Sequence, residues 1–210
     1  MLDASVGRIA RTTARAACAV VLAGAFLGCA SKSVSRIDPR TVTDLSGRWN
    51  DTDSRLVANK LIEESLTNPW AKRYAELHGG EAPVIIIGDF SNKTMEHIPV
   101  GTFVRDLERA FIGSGAVRVV ASSDERQDVR AERADQQQYA RADTRARLGQ
   151  EQGARYMLQG ELQAIEDGSG REKIVFYQVD ATLVDLESNT KVWFGQHKIK
   201  KYIERRPFGW

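Results

Sequence analysis

Cysteine is nearly missing: the 210 residues hold two, Cys18 and Cys29, and none follows position 29. That excludes a disulfide framework or a thiolate metal site in the body of the chain. Histidine is almost as scarce, with three residues and no H-E-x-x-H pair or other ligand spacing. There is no G-x-S-x-G elbow, no phosphate-binding glycine loop and no usable set of Ser, His and Asp, so the sequence speaks against an enzyme. An excess of charge is also lacking. Three of the 30 basic residues (Arg8, Arg11, Arg15) and one of the 28 acidic ones (Asp3) lie in residues 1–28, which leaves the remainder formally neutral. A nucleic-acid partner is not indicated.

What is present begins with an export signal. Residues 1–15 carry the arginines, and the apolar residues 16–28 number thirteen, against the roughly 20 that a membrane-spanning helix needs. The run ends in Ala25-Phe26-Leu27-Gly28-Cys29. This resembles a bacterial lipobox, which implies that Cys29 is diacylated and becomes the new amino terminus. By resemblance to sorting signals, Ala30 after the cysteine implies the outer membrane, with the protein facing the periplasm. Acyl chains contribute about 0.8 kcal/mol per buried CH₂, enough for lasting attachment. Residues 29–52 are polar and aperiodic and read as a lipidated flexible tether. Fully extended, its polar part reaches roughly 80 Å. Within it Trp49, beside Asn50 and Asp51, is either a partner contact or a staple folded back on the next helix, and the staple is the preferred reading.

The globular domain is expected over residues 53–210. Asp53 or Ser54 caps a helix with Leu56, Val57, Leu61, Ile62 and Leu66 on one face, and Asn68-Pro69 opens a second, closed by His78 and Gly79-Gly80. Val84-Ile85-Ile86-Ile87 has no polar alternation, so it reads as a central strand covered on both faces. The loop after it holds Asp89, Glu96 and His97, better read as turn and cap residues than as a metal cluster. Thr102 is expected to cap a helix, and residues 117–120 form a second, parallel strand. Ser122 and Glu125 have capping-box spacing at the head of a charged, solvated helix or arm, and a short helix restarts near Asp143 or Thr144 and ends at Gly153.

Three strands complete the chain. Tyr156, Leu158, Leu162, Val175, Tyr177, Val179, Ala181 and Leu183 alternate with polar residues, which gives a meander with one dry and one wet face. On the wet face Met157, Phe176 and Gln178 are candidates for partner contact, with Trp49 and Asn50 as further ones. The fold class is α/β (α+β): a small mixed sheet of about five strands flanked by helices, in one domain.

Four stretches carry a family resemblance: residues 46–53 (SGRWNDTD), 87–94 (IGDFSNKT), 148–160 (LGQEQGARYMLQG) and 184–193 (VDLESNTKVW). In this order after a lipobox, they resemble the LpoB family of outer-membrane lipoproteins that activate class A penicillin-binding proteins, and more loosely the amino-terminal domain of TolB. The resemblance implies no catalysis, cofactor or metal. It implies a lipid-held domain that docks on a peptidoglycan synthase at the inner membrane and favours its active state. The alternative is an envelope-assembly or secretion lipoprotein like the CsgG channel, which needs membrane strands that the sequence does not supply beyond its core strands.

Overall fold

A computed structural model describes residues 33–205. The expected signal peptide, Cys29 and the tail 206–210 lie outside the described residues. The chain divides into a unit of residues 1–41 and a second unit, Val42–Trp210. In the first, residues 33–41 are exposed and form neither helix nor strand. The sequence reading carries the tether to Thr52, but the folded unit already includes residues 42–52, because their polar groups are held by specific partners described below.

Among the described residues the second unit has four helices and five strands. They run α1 Asp51–Thr67, α2 Trp70–Leu77, β1 Val84–Asn92, α3 Val100–Ser114, β2 Arg118–Val119, α4 Ser123–Tyr139, β3 Tyr156–Ser169, β4 Glu172–Asp185 and β5 Lys191–Glu204. The strands form one mixed sheet in the order β2-β1-β3-β4-β5, parallel at β2/β1 and β1/β3 and antiparallel at β3/β4 and β4/β5.

The apolar run of β1 explains its place. Val84, Ile85 and Ile86 are all buried, so both faces of this strand are covered. Its pairing with β3 slips between Ile87 and Phe90, and Asp89 therefore lies exposed inside the strand rather than capping a turn. Past that irregularity, β1 lies close on β3: a side chain at Gly160 would strike the Phe90 ring and the Asp180 carbonyl. Only glycine admits this approach.

On the inner face of the sheet, Val57 and Leu61 of α1 and Leu107 and Phe111 of α3 join Ile85, Leu158, Tyr177 and Leu183 in one core. Trp70 and Tyr74 of α2 meet Tyr156 edge-on. His78 ends α2, with its ring stacked on Tyr74 and its Nδ1 at 2.8 Å from the Tyr74 carbonyl oxygen. The β4–β5 turn is fixed by Asp185, whose carboxylate accepts the Glu187 and Ser188 amides at 2.9 and 3.0 Å and pairs with Arg155 at 2.8 Å. The Ser188 amide and the Arg155 guanidinium hold this carboxyl below its usual range.

Three local expectations are corrected. The cap of α1 is Asn50, not Asp53 or Ser54; Asp53 serves as the reciprocal partner, its carboxylate accepting the Asn50 amide at 2.9 Å. Thr102 does not cap α3, which opens at Pro99 without a side-chain cap. No helix forms over residues 143–153. There Gln136 and Gln137 of α4 bind the amide and carbonyl of Ala146, and these side-chain bonds compete with a helical turn.

Helix α4 buries none of its residues and depends on electrostatics for its position. Ser122 caps it, with Glu125 as the reciprocal partner accepting the Ser122 amide. Glu125 also takes the Arg105 guanidinium at 2.8 Å, while Glu151 receives Arg130 at 2.7 Å and Arg133 at 3.0 Å. The Ser122 amide, then Arg105, hold Glu125 down to about 2 from 4.5, and Arg130, then Arg133, do the same for Glu151. Folded pKa values below the unfolded ones mean that this stabilisation is complete above about pH 4.5 and is lost as pH falls toward 2. Hydrogen exchange is expected to show α4 and residues 140–151 opening in that window while β3 and β4 stay protected. Simultaneous loss of protection in the strands would contradict this.

Candidate functional site

The strict two-residue period of β4 gives the meander one packed and one open face. Val175, Tyr177, Val179, Ala181 and Leu183 are buried, while Ile174, Phe176, Gln178, Asp180, Thr182 and Val184 stay half-exposed. Helices α1 and α3 contribute to the core on the packed face. On the open face, cross-strand pairing sets Phe176 between Ile165 of β3 and Lys200 of β5, and Gln178 between Gln163 and Lys198. Asp180 is bridged there by the amides of Gln178 and Gln196, each at 2.8 Å. Ile165 is 67% exposed, Phe194 56% and Tyr202 58%, which is unusual company for large apolar groups. Among the described residues, no carboxylate pairs with Lys191, Lys198 or Lys200 on β5. The surface around Phe176 thus combines an aromatic and aliphatic centre with unpaired ammonium groups.

The sequence-predicted contact residues do not form one patch. Phe176 and Gln178 are adjacent on this face. Met157 shares the face but pairs opposite Val184, eight residues along β4 from Phe176, or about 26 Å at strand rise. There it is half-buried, and a side chain added at Gly88 would meet its sulfur at 3.0 Å. Trp49 and Asn50 belong to the packed side. The Trp49 ring meets Tyr177 edge-on at 5.4 Å, and its indole donates to Ser54 Oγ at 2.8 Å.

Beside Trp49 lies a polar knot that sequence reasoning missed. Tyr177, buried and pointing into the core, donates its hydroxyl to Glu96 at 2.6 Å, and the other oxygen of Glu96 accepts the Trp49 amide at 3.2 Å. Burial, reinforced by the Glu96 carboxylate, raises the Tyr177 phenol. Lys201 of β5, its side chain 10% exposed, donates to Asp44 at 2.7 Å, to Asp53 at 2.6 Å and to the Arg48 carbonyl at 3.0 Å. Burial opposes the Lys201 charge, but the hydrogen bonds to Asp44 and Asp53 outweigh it and raise its pKa, while Lys201 lowers that of Asp44. These contacts span about 150 positions of sequence, so no local signal announces them. Asp89 and His97 are exposed and Glu96 turns toward Tyr177, so the three are not gathered. Among the described residues, no group of three or more His, Cys, Asp or Glu is placed to hold a metal.

A family model described as "Peptidoglycan-synthase activator LpoB" matches residues 53–199, from within α1 to within β5. The search of curated proteins finds no match. Among solved structures, lipoprotein GNA1162 from Neisseria meningitidis is similar at 17% identity over 57% of this chain and 83% of that one, with a TM-score of 0.35. The LpoB C-terminal domain from Salmonella enterica is similar at 16% identity over 69% and 98%, with a TM-score of 0.34. That from Escherichia coli is similar at 12% identity over 64% and 98%, with a TM-score of 0.35.

Replacing Lys201 by Met leaves Asp53 buried without its counter-charge, and loss of one partner of a buried pair costs about 3 kcal/mol. Urea unfolding is expected to show a destabilisation of that order for Lys201→Met. Adding Asp53→Asn to the same chain should recover part of it.

Proposed function

This chain belongs to the peptidoglycan-synthase activator LpoB family, and on that premise we propose that it is a non-catalytic, lipid-anchored activator of a peptidoglycan synthase, a class A penicillin-binding protein. The observation that carries the reading is the family match across nearly the whole folded unit, from residue 53 to residue 199. The open face of β3, β4 and β5 supports it: a surface with Phe176 at its centre and the unpaired Lys198 and Lys200 at its border suits a protein partner. In this reading Cys29 carries the acyl chains that hold the protein at the outer membrane, facing the periplasm. The residues between Cys29 and the folded unit then serve as its tether, and no helix among the described residues is long and apolar enough to cross a membrane.

Activation then needs no reactive group. The domain raises synthase activity to the extent that it binds the active state better than the inactive one. A tenfold shift in that balance requires about 1.4 kcal/mol of differential affinity, within reach of one or two well-packed side chains.

The test is reconstitution with purified synthase. The chain carrying Cys29→Ser is expected to stimulate glycan polymerisation in solution, whereas Phe176→Glu combined with Lys200→Glu should abolish stimulation with an unchanged unfolding midpoint. Full stimulation by that double variant would remove the open face from the reading. No stimulation by the Cys29→Ser chain itself would remove the synthase. In cells, Cys29→Ser is expected to shift the protein from the membrane to the soluble fraction.

A further inference from the structure

The charges of the open face are segregated about the middle of β4, between Gln178 and Asp180. On the hairpin side the β5 partners of Phe176 and Gln178 are Lys200 and Lys198, both exposed and, among the described residues, paired with no carboxylate. On the other side Asp180 stands opposite Glu161 of β3. A hollow of about 420 Å³ joins these two to Asp89, which lies at the irregularity of β1, with Lys191 and Phe194 also in its lining. It holds three carboxylates against the one ammonium of Lys191.

These carboxylates have amide partners but no cation. Gln163 donates to Glu161 at 2.5 Å, and Gln178 and Gln196 donate to Asp180 at 2.8 Å. Among the described residues, neither they nor Asp89 form an ion pair. The remaining acids of this face, Asp167, Glu172 and Glu204, pair at positions toward the hairpin end, five or more residues from the midline, or about 16 Å at strand rise. Around the midline, then, a basic half on β5 adjoins an acidic half spread over β4, β3 and β1.

We propose that the open face pairs with the same face of a second copy of this chain, as a two-fold dimer. A partner of uniform charge, whichever its sign, is repelled by one half of such a face. A copy turned about an axis that lies in the sheet, crosses β4 near Gln178 and Asp180 and runs diagonal to the strands sets Lys198 and Lys200 over the acidic hollow, and by symmetry sets its own lysines over the first copy's hollow. Every favourable contact is made twice. Apolar groups stand on both sides of the midline, Ile165 and Phe176 on one and Phe194 on the other, so the dimer also covers large exposed side chains. Because this is the face assigned to the synthase, a paired copy withholds it, and crowding of chains on one membrane opposes activation. That regulatory consequence rests on the synthase reading; the dimer itself does not.

Sedimentation equilibrium of the full chain carrying Cys29→Ser, with no synthase present, tests the dimer by itself. The mean mass is expected to rise from one chain toward two with concentration. In that background Lys198→Glu with Lys200→Glu makes the face acidic throughout, and Asp89→Lys with Glu161→Lys makes the hollow basic. Each double variant alone is expected to self-associate about tenfold more weakly or worse, because like charges then oppose one another. An equimolar mixture of the two is expected to pair again, a recovery that a folding defect cannot imitate. If a charge reversal lowers the unfolding midpoint, Lys198→Gln with Lys200→Gln takes its place, with a smaller loss expected. A mass of one chain at every concentration, self-association that persists unchanged in both variants, or a mixture of folded variants that pairs no better than either alone would each overturn the proposal.

Discussion

The ammonium of Lys201 is the contact on which the amino-terminal side of the fold depends. One nearly buried positive charge gathers Asp44, Asp53 and the Arg48 carbonyl, and in doing so it fastens the chain ahead of α1 to the edge strand β5. Asp53 then completes the capping box with Asn50, and Trp49 comes to rest on Tyr177. Burial alone would penalise these charges. Their mutual hydrogen bonds offset that penalty and make the arrangement specific in geometry.

A second constraint acts across the sheet. The period of two in β4 directs every other residue into a core built with α1 and α3 and leaves the remaining ones facing outward. An antiparallel meander tolerates such an open face, whereas a strand such as β1, between two parallel neighbours, does not. The sheet therefore has a closed end around β1 and an open one around β4 and β5. The reading of the molecule as a docking module uses the open end, where Phe176, Ile165 and the lysines of β5 stand on the surface.

Much of this was legible in the sequence because it is local. The unbroken β-branched run of β1, the alternation of β3 and β4, and the Ser122–Glu125 capping box each follow from a short window. The misses come from competition or distance. Asn50 outcompeted Asp53 as a cap because the two act reciprocally, and the pattern Asn-x-x-Asp reads less clearly than Ser-x-x-Glu. The helix expected over residues 143–153 lost to side chains of α4 that bind its backbone at Ala146. The tether's final residues look polar and featureless, yet Lys201 and Glu96, far away in sequence, supply their partners. For the candidate site, alternation correctly put Met157, Phe176 and Gln178 on one face, but without the β3–β4 register it could not say that Met157 stands at the other end.

The central claim is that the open face around Phe176 meets a peptidoglycan synthase. The most direct measurement replaces Phe176 with a photo-reactive phenylalanine analogue in the envelope of living cells, with the same analogue at Leu77, exposed at the end of α2, as the reference. Irradiation is predicted to join the chain to a class A penicillin-binding protein from position 176 and not from position 77. Equal capture from both positions, or capture of the synthase from position 77 alone, would contradict the account.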